Sequence, residues 1–297
     1  MTQNGSSRSM ETCSRSKLKT VLIEKGAVGG QVLITSWIDN YPGFPDGLAG
    51  YDLIDKMAAQ AKRFGLETIT DTVTALDLHR PVKKLICESG REITTQALII
   101  STGARPNKLG IPGEDELTGK GVSYCATCDA PFYQNMHVAV IGGGNTAIQD
   151  AIHLTRFASR VTVVHRRDKL RATQIYQDEA FANEKIDFVW NANAIKITGE
   201  KAVSGLHVKK LSGEELTLAV QGVFVFIGTI PNNEMLSAEQ IQIDDRGFVV
   251  TDQEMRTSVP GVMAAGDIRS KEVRQVITAA GEGAMAEQAA EKYLGTI

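Results

Sequence analysis

Cys125 and Cys128 stand in the stretch VSYCATCD, with Asp129 directly behind the second thiol. Three chemistries use such a pair: half of a zinc site, a structural disulfide, or a dithiol that carries electrons. A structural zinc site takes four ligands, and this pair supplies two. Cys13 and Cys87 are isolated and His137 has no second histidine nearby, so no metal is expected. Four cysteines in 297 residues are too few for a disulfide scaffold, and a reducing compartment would not keep one. A redox dithiol fits better. The C-x-x-C spacing puts the sulfurs within bonding range across one turn, and the N-terminal thiol of such pairs often has a depressed pKa. Asp129 could protonate a departing thiolate, or simply cap the helix expected after it.

A second group of residues suits phosphate. In GGGNTAIQDAIHLTRF, Gly142, Gly144 and Ala147 fit G-x-G-x-x-A. The first glycine permits a tight turn, the second lets the backbone approach a pyrophosphate, and the third small residue lets helix and strand pack closely. The helix N-terminus then offers unpaired N–H groups to the phosphates. Where an NAD site carries an acid, this chain has His165, Arg166 and Arg167, with Arg171 one turn further on. Guanidinium groups bind a 2′-phosphate through paired, charge-assisted hydrogen bonds, so the reading is NADPH over NADH. The plainer readings are a glycine turn without a ligand and a solvated basic loop.

These residues need elements to hold them. HVAVIG (137–142) reads as a strand, and Ala147, Ile148, Ala151, Ile152 and Leu154 mark one face of a helix. RVTVVHRR (160–167) reads as a second strand, completing a strand, turn, helix, strand unit. KLKTVLIEKG (17–26) is a further strand ending in Glu24, where an adenosine ribose would be held. The spacing that separates Gly142 from His165, counted back from Glu24, arrives at Met1. The opening MTQNGS does not match a glycine turn, and residues 4–12 are polar with no apolar helix face. The first dinucleotide unit is therefore expected to lack its leading strand, its GxGxxG loop and most of its helix, with residues 1–9 resembling a tag or leader. YDLIDKMAAQAKRFG (51–65) reads as a helix whose apolar face is core or dimer interface, and DDRG (244–247) as a turn. GVMAAGD puts Asp267 at a strand end beside a helix beginning near Val273.

Length fits two domains of ordinary size. At 42% hydrophobic and 23% charged the chain can bury a sizeable core. A formal net charge of −3 and a pI near 6.0 point to neither nucleic acid nor a membrane surface as partner. No run approaches the ~18 apolar residues of a membrane span. No apolar signal core opens the chain, so a cytoplasmic location is expected.

CATCD, GGGNTA, VHRRDKLRA and VPGVMAAGDIRSKEVRQVITAAGEGA (259–284), in that order, resemble the low-molecular-weight thioredoxin reductases. These are class II pyridine nucleotide-disulfide oxidoreductases, NADPH-dependent flavoproteins. The resemblance implies an α/β fold of two Rossmann-like, three-layer domains. A discontinuous, N-terminally truncated FAD domain would span 1–109 plus 232–297, and an NADPH domain carrying the C-x-x-C would span 110–231. It implies FAD contacts from Glu24, Lys25, Gly29, Gly30 and Gln31 in EKGAVGGQ, Asn40 in IDNYPGFP, and Thr102 and Gly103 in STGARP. Asp267 would hold the ribitol or pyrophosphate, and Arg274, Gln275 and Val276 would lie along the isoalloxazine ring. NADPH would meet Gly142, Gly144, Asn145, Thr146, Ala147, His165, Arg166, Arg167 and Arg171. Cys125 would attack the partner, Cys128 would face the flavin, and Asp129 would donate the proton.

The implied activity is thioredoxin-disulfide reduction: electrons pass from NADPH through FAD to the Cys125–Cys128 pair and on to thioredoxin or a thioredoxin-like protein. A homodimer is implied too, as is rotation between the domains on hinges near residues 109–113 and 230–232. Ala130 stands where the family commonly has glycine. Two other readings remain. One is an inactive or regulatory remnant binding no FAD, favoured by the missing glycine loop. The other is a related flavin enzyme with another electron donor, such as ferredoxin, opposed by Arg166 and Arg167.

Overall fold

The computed structural model describes residues 18–35, 37–38 and 40–296. Cys13, the leader at 1–9 and the expected loss of the first glycine loop lie outside the described residues. The chain divides into two units, residues 1–105 with 230–297 and residues 106–229. The crossings fall a few residues before the expected boundaries at 109/110 and 231/232.

In the continuous unit, five strands form a parallel sheet. Their order is Ile186–Val189, Arg160–Val164, His137–Gly142, Gly222–Phe226 and Val122–Ser123. The central strand is an unbroken apolar run because both its faces are covered. Side chains alternate across it. Val138 and Val140 join Ile148, Leu154 and Phe224 on one side, where the helix Asn145–Leu154 lies. Ala139 and Ile141 join Ile197, Leu206 and Val208 on the other, beneath three antiparallel strands, Ala192–Gly199, Val203–Lys210 and Glu215–Leu218. The result is three layers. The second strand ends at Val164, earlier than the sequence pattern implied. The His165 N–H still pairs with Val189 O at 2.9 Å, after which Arg166 and Arg167 turn off the sheet.

In the discontinuous unit, two parallel pairs are present: Val21–Glu24 with Glu67–Thr70, and Leu98–Ile100 with Val262–Ala264. Alternation again sorts the faces. Leu98, Ile100, Val262 and Ala264 pack with Leu76, Leu78 and Leu85 toward the antiparallel strands Val73–Asp77, Lys83–Cys87 and Glu92–Thr95. Ile99 and Met263 face Ala286, Ala289 and Ala290 of the helix Val276–Leu294, whose alanine face lets it lie close. That helix starts three residues beyond Val273. Gln275 is extended and closes a capping box with Thr278, which fixes the start. The helix Gly50–Arg63 buries Leu53, Ile54 and Ala61. It needs glycine at position 50, where a Cβ would stand 1.9 Å from Val32 O.

Candidate active site

The strand Val122–Ser123 leads directly into the thiol pair. Cys125 is the extended N-cap of a single helical turn, Ala126–Asp129, and a 3-10 turn, Ala130–Tyr133, follows. Ala126 and Ala130 are fully buried in the core, which seats the turn and leaves both cysteines half-buried. Ala130 has φ −51° and ψ −40°, ordinary helical values, so alanine fits there without strain. Cys125 and Cys128 are joined as a disulfide, with Cα atoms 5.3 Å apart. Cys125 Sγ lies 3.4 Å from Thr127 Oγ1. Among the described residues no group of three or more His, Cys, Asp or Glu could hold a metal.

Asp129 makes no capping hydrogen bond, so capping is not its use here. It is half-buried, and burial pushes its carboxyl above the usual carboxylate range, partly offset by a hydrogen bond with Ser123. Tyr133 lies close by, its phenol pushed up to about 12 by burial and by the Asp129 charge. Its ring meets Phe224 edge-on at 5.1 Å.

The sequence pattern missed two supports of this turn. Ser123 Oγ accepts the Cys125 N–H at 3.1 Å. Glu114, buried, accepts the Leu109 and Gly110 N–H groups at 2.9 and 2.8 Å and the Tyr124 hydroxyl at 2.9 Å. Burial, then this carboxylate, raises the Tyr124 phenol well above its ordinary value. No local pattern marks Glu114, because its partners come together only in the fold.

The glycine turn is built for close approach. Gly142 has φ 151°, and a Cβ there would stand 2.5 Å from Phe226 O. Beside Gly144 a Cβ would meet nothing within 4 Å, so the space over the helix N-terminus is open. Gly144 caps the helix without a side-chain bond, leaving N–H groups free for a phosphate. Ala147 is fully buried, Thr146 exposed, and Asn145 Oδ1 accepts the Thr173 N–H at 2.8 Å. Gly143, at the variable position between the two motif glycines, carries the next segment: its carbonyl accepts the Arg171 and Ala172 N–H groups at 2.7 and 3.1 Å. This brings Arg171 to the glycine turn. Arg166, Arg167 and Arg171 are exposed and make no ion pair among the described residues. His165 is buried against Gly143, with Nε2 lacking any partner among the described residues. Burial, with the neighbouring arginines, lowers its pKa. An open helix N-terminus, three unpaired guanidinium groups and an orphaned ring nitrogen fit a phosphorylated dinucleotide.

The residues expected to hold the flavin all lie in the discontinuous unit. Glu24 ends its strand, buried, and accepts the Gly26 N–H at 3.2 Å, with Lys25 exposed beside it. Gly29 and Gly30 have φ 129° and 56°, and the Gln31 amide bonds Ala104 O. Asn40 Nδ2 reaches Gln275 Oε1 at 3.0 Å, joining two expected contacts. Thr102 Oγ1 donates to Asn232 O at 2.6 Å, and Gly103 O accepts the Asn232 N–H at 2.9 Å. Asp267 is buried with Lys271 Nζ 3.4 Å away, while Glu282 holds Arg269 and Lys271 at 2.9 and 3.0 Å. Val276 packs against the cluster of Val32 and Leu53. Arg274 stacks over Phe248 at 4.4 Å. Its buried Nε has no partner among the described residues, and burial lowers its pKa. A buried donor left unpaired beside Asp267 fits an anionic or electron-rich group, as a flavin dinucleotide offers.

Comparison with known proteins agrees with this geometry. Residues 5–283 match the family model described as pyridine nucleotide-disulphide oxidoreductase. A thioredoxin reductase of Listeria monocytogenes is 46% identical over 287 residues, covering 95% of this chain and 88% of that protein. One from Peptoclostridium acidaminophilum is 46% identical over 288 residues, covering 95% and 91%. The crystal structure of thioredoxin reductase from Streptococcus pyogenes superposes with a TM-score of 0.93 at 40% identity, covering 100% of this chain and 96% of that one.

Proposed function

The chain belongs to the thioredoxin reductases of the pyridine nucleotide-disulphide oxidoreductase family, flavoprotein disulfide reductases, and from that premise we propose that it uses NADPH and FAD to reduce thioredoxin or a thioredoxin-like protein. The observation that carries this reading is the Cys125–Cys128 disulfide with half-buried Asp129 directly behind it, in the unit that also holds the glycine turn and the basic cluster.

Arg166, Arg167 and Arg171 clamp the 2′-phosphate, His165 Nε2 meets it or the adjoining ribose, and the N–H groups after Gly144 face the pyrophosphate. In the other unit Glu24, Lys25, Gly29, Gly30, Gln31, Asn40, Thr102, Gly103, Asp267 and the segment 274–276 hold FAD. When bound, the nicotinamide would supply a hydride and the flavin would supply two-electron redox chemistry for the Cys125–Cys128 disulfide.

The reduced pair then does the remaining chemistry. The Cys125 thiolate attacks one sulfur of the partner disulfide, forming a mixed disulfide and breaking the partner's S–S bond. Asp129 gives its proton to the departing thiolate. Cys128 then attacks Cys125 Sγ, restoring the Cys125–Cys128 disulfide and releasing the second partner sulfur. Two electrons leave the dithiol and two enter the partner. One dithiol must meet both an internal reductant and an external protein, so we place flexing at the crossings. Glu114 fixes Leu109 and Gly110, which moves the first hinge to the residues before them. A cytoplasmic homodimer belongs to the same proposal.

Steady-state NADPH oxidation with thioredoxin as acceptor tests it. Activity that disappears in both Cys125→Ser and Cys128→Ser supports the exchange sequence, and full turnover in either variant refutes it.

A further inference from the structure

Thr127 stands inside the C-x-x-C turn and touches one of its two sulfurs. It belongs to the single helical turn Ala126–Asp129, of which Cys125 is the extended N-cap. Thr127 Oγ1 lies 3.4 Å from Cys125 Sγ. A disulfide sulfur carries no hydrogen, so the hydroxyl donates and the sulfur accepts. Among the described residues Cys128 Sγ has no such donor. The two sulfurs are bonded to each other, yet only one of them is met by a hydroxyl.

This hydrogen bond strengthens when the disulfide opens. A thiolate is a stronger acceptor than a disulfide sulfur, because its charge draws the hydroxyl hydrogen. The hydroxyl is already held close to its place. Ala126 and Ala130, fully buried, seat the turn on either side of it, and a β-branched threonine has few χ1 states. During exchange the Cys125 thiolate forms a bond to one partner sulfur, the partner's S–S bond breaks, and the departing partner thiolate takes a proton. The bond from Thr127 is strongest before the attack and weakens as the charge on Cys125 Sγ passes into the new S–S bond. It therefore raises the fraction of Cys125 present as thiolate and lowers the reactivity of each thiolate by a smaller factor.

We propose that Thr127 is a further catalytic residue: its hydroxyl donates to Cys125 Sγ and selects that sulfur, rather than Cys128, as the attacking thiolate. This rests on the reading of Cys125 as the thiol that attacks the partner. The other titratable groups around the turn are Asp129 on the turn itself, Tyr124 before it with Glu114 on its hydroxyl, Tyr133 on the 3-10 turn Ala130–Tyr133, and Asp150 and His153 on the helix Asn145–Leu154. All of them stay in place when Thr127 is changed, so a difference between variants reports the hydroxyl.

The test is alkylation of the reduced holoenzyme by iodoacetamide across a pH series, with the Cys125 and Cys128 peptides read separately by mass spectrometry. Single-turnover exchange with oxidised thioredoxin is followed over the same pH range. Thr127→Val keeps the shape and removes the hydroxyl, and the side chain is exposed, so the core is untouched. The midpoint of Cys125 alkylation should move upward by roughly 0.5–1 pH unit. Exchange should slow roughly two- to threefold below the midpoint and quicken by a similar factor above it, because nucleophilicity rises by about half as many powers of ten as the thiolate fraction falls. Thr127→Ser, which keeps the hydroxyl, should keep the wild-type profile. Loss of packing alone would slow exchange at every pH and give no such crossing. An unmoved Cys125 midpoint in Thr127→Val overturns the proposal. A Thr127→Ser variant that follows the valine variant also overturns it, because the methyl group would then be the active part. Wild-type labelling that falls first on Cys128 overturns the reading of Cys125 as the attacking thiol, and the role of Thr127 with it.

Discussion

Replacing Gly143 by alanine is a sharp test of the glycine turn, because Gly143 fills a variable position of the G-x-G-x-x-A motif yet has no room to spare. A Cβ at this position would stand 2.3 Å from His165 Cε1, 2.4 Å from Nδ1 and 2.7 Å from Nε2. Carbon atoms in contact sit about 3.6 Å apart, so the ring would have to retreat by roughly 1.3 Å. Its backbone cannot follow, since the His165 N–H bonds Val189 O at 2.9 Å and its carbonyl accepts the Ala192 N–H at 3.0 Å. The ring must therefore swing off its rotamer, and Trp190 stands edge-on with its ring centre 6.4 Å away. Overpacking of this kind costs about 1–3 kcal/mol. The strain can be relieved in two ways. Either the displaced ring stays strained and the unit loses stability, or the Gly143 backbone shifts and disturbs the proposed phosphate clamp, because Gly143 O also holds the Arg171 and Ala172 N–H groups. If half of about 2 kcal/mol falls on cofactor binding, KM for NADPH rises roughly fivefold. The assay is KM and kcat with NADPH and with NADH, alongside the melting temperature. The prediction is a raised KM for NADPH, a smaller change for NADH, and a lower Tm. A variant with wild-type KM and wild-type Tm would refute the reasoning.

If Arg166 and Arg167 hold the 2′-phosphate as proposed, Arg166→Ala and Arg167→Ala should each raise KM for NADPH about tenfold with little change for NADH, read by steady-state kinetics. Tyr124→Phe leaves Glu114 its two backbone donors but removes a buried hydrogen bond. It should cost about 1 kcal/mol, or roughly 2–4 °C in Tm by calorimetry. His137, His153 and His165 all have pKa values lowered chiefly by burial. The unfolded chain therefore binds more protons, and the stability these groups contribute is present above the ordinary histidine pKa and lost as pH falls through the folded values. Tm should drop as pH is lowered below about 6.5, and His165→Gln should flatten part of that slope.

Much of the site was legible in the sequence, and the reasons are local. The apolar run at residues 138–141 reads as a strand, and the spacing of Ala147, Ile148, Ala151 and Leu154 marks the buried face of the following helix. C-x-x-C stands out by type and spacing and forms a disulfide, and the arginines after the second strand stand out in the same way. What stayed hidden depends on contacts between residues distant in the chain or on backbone detail. Glu114 meets Tyr124 ten positions on only because a loop folds back over it. Ser123 reads as the polar end of a strand until its hydroxyl is seen accepting the Cys125 N–H. Gly143 looks like a spare glycine until the ring of His165 is placed beside it. The start of the helix Val276–Leu294 was set by a Gln275–Thr278 capping box that a search for Ser, Thr, Asp or Asn at the cap passes over.

The central claim is that electrons from NADPH reach Cys125 and Cys128 through a bound flavin. The visible absorption spectrum of the purified protein, recorded before and after NADPH, tests it most directly. The account predicts a flavin band that bleaches with NADPH and returns when oxidised thioredoxin is added, the return being lost in Cys128→Ser. A protein that stays colourless after incubation with FAD, or whose flavin band does not respond to NADPH, would contradict it.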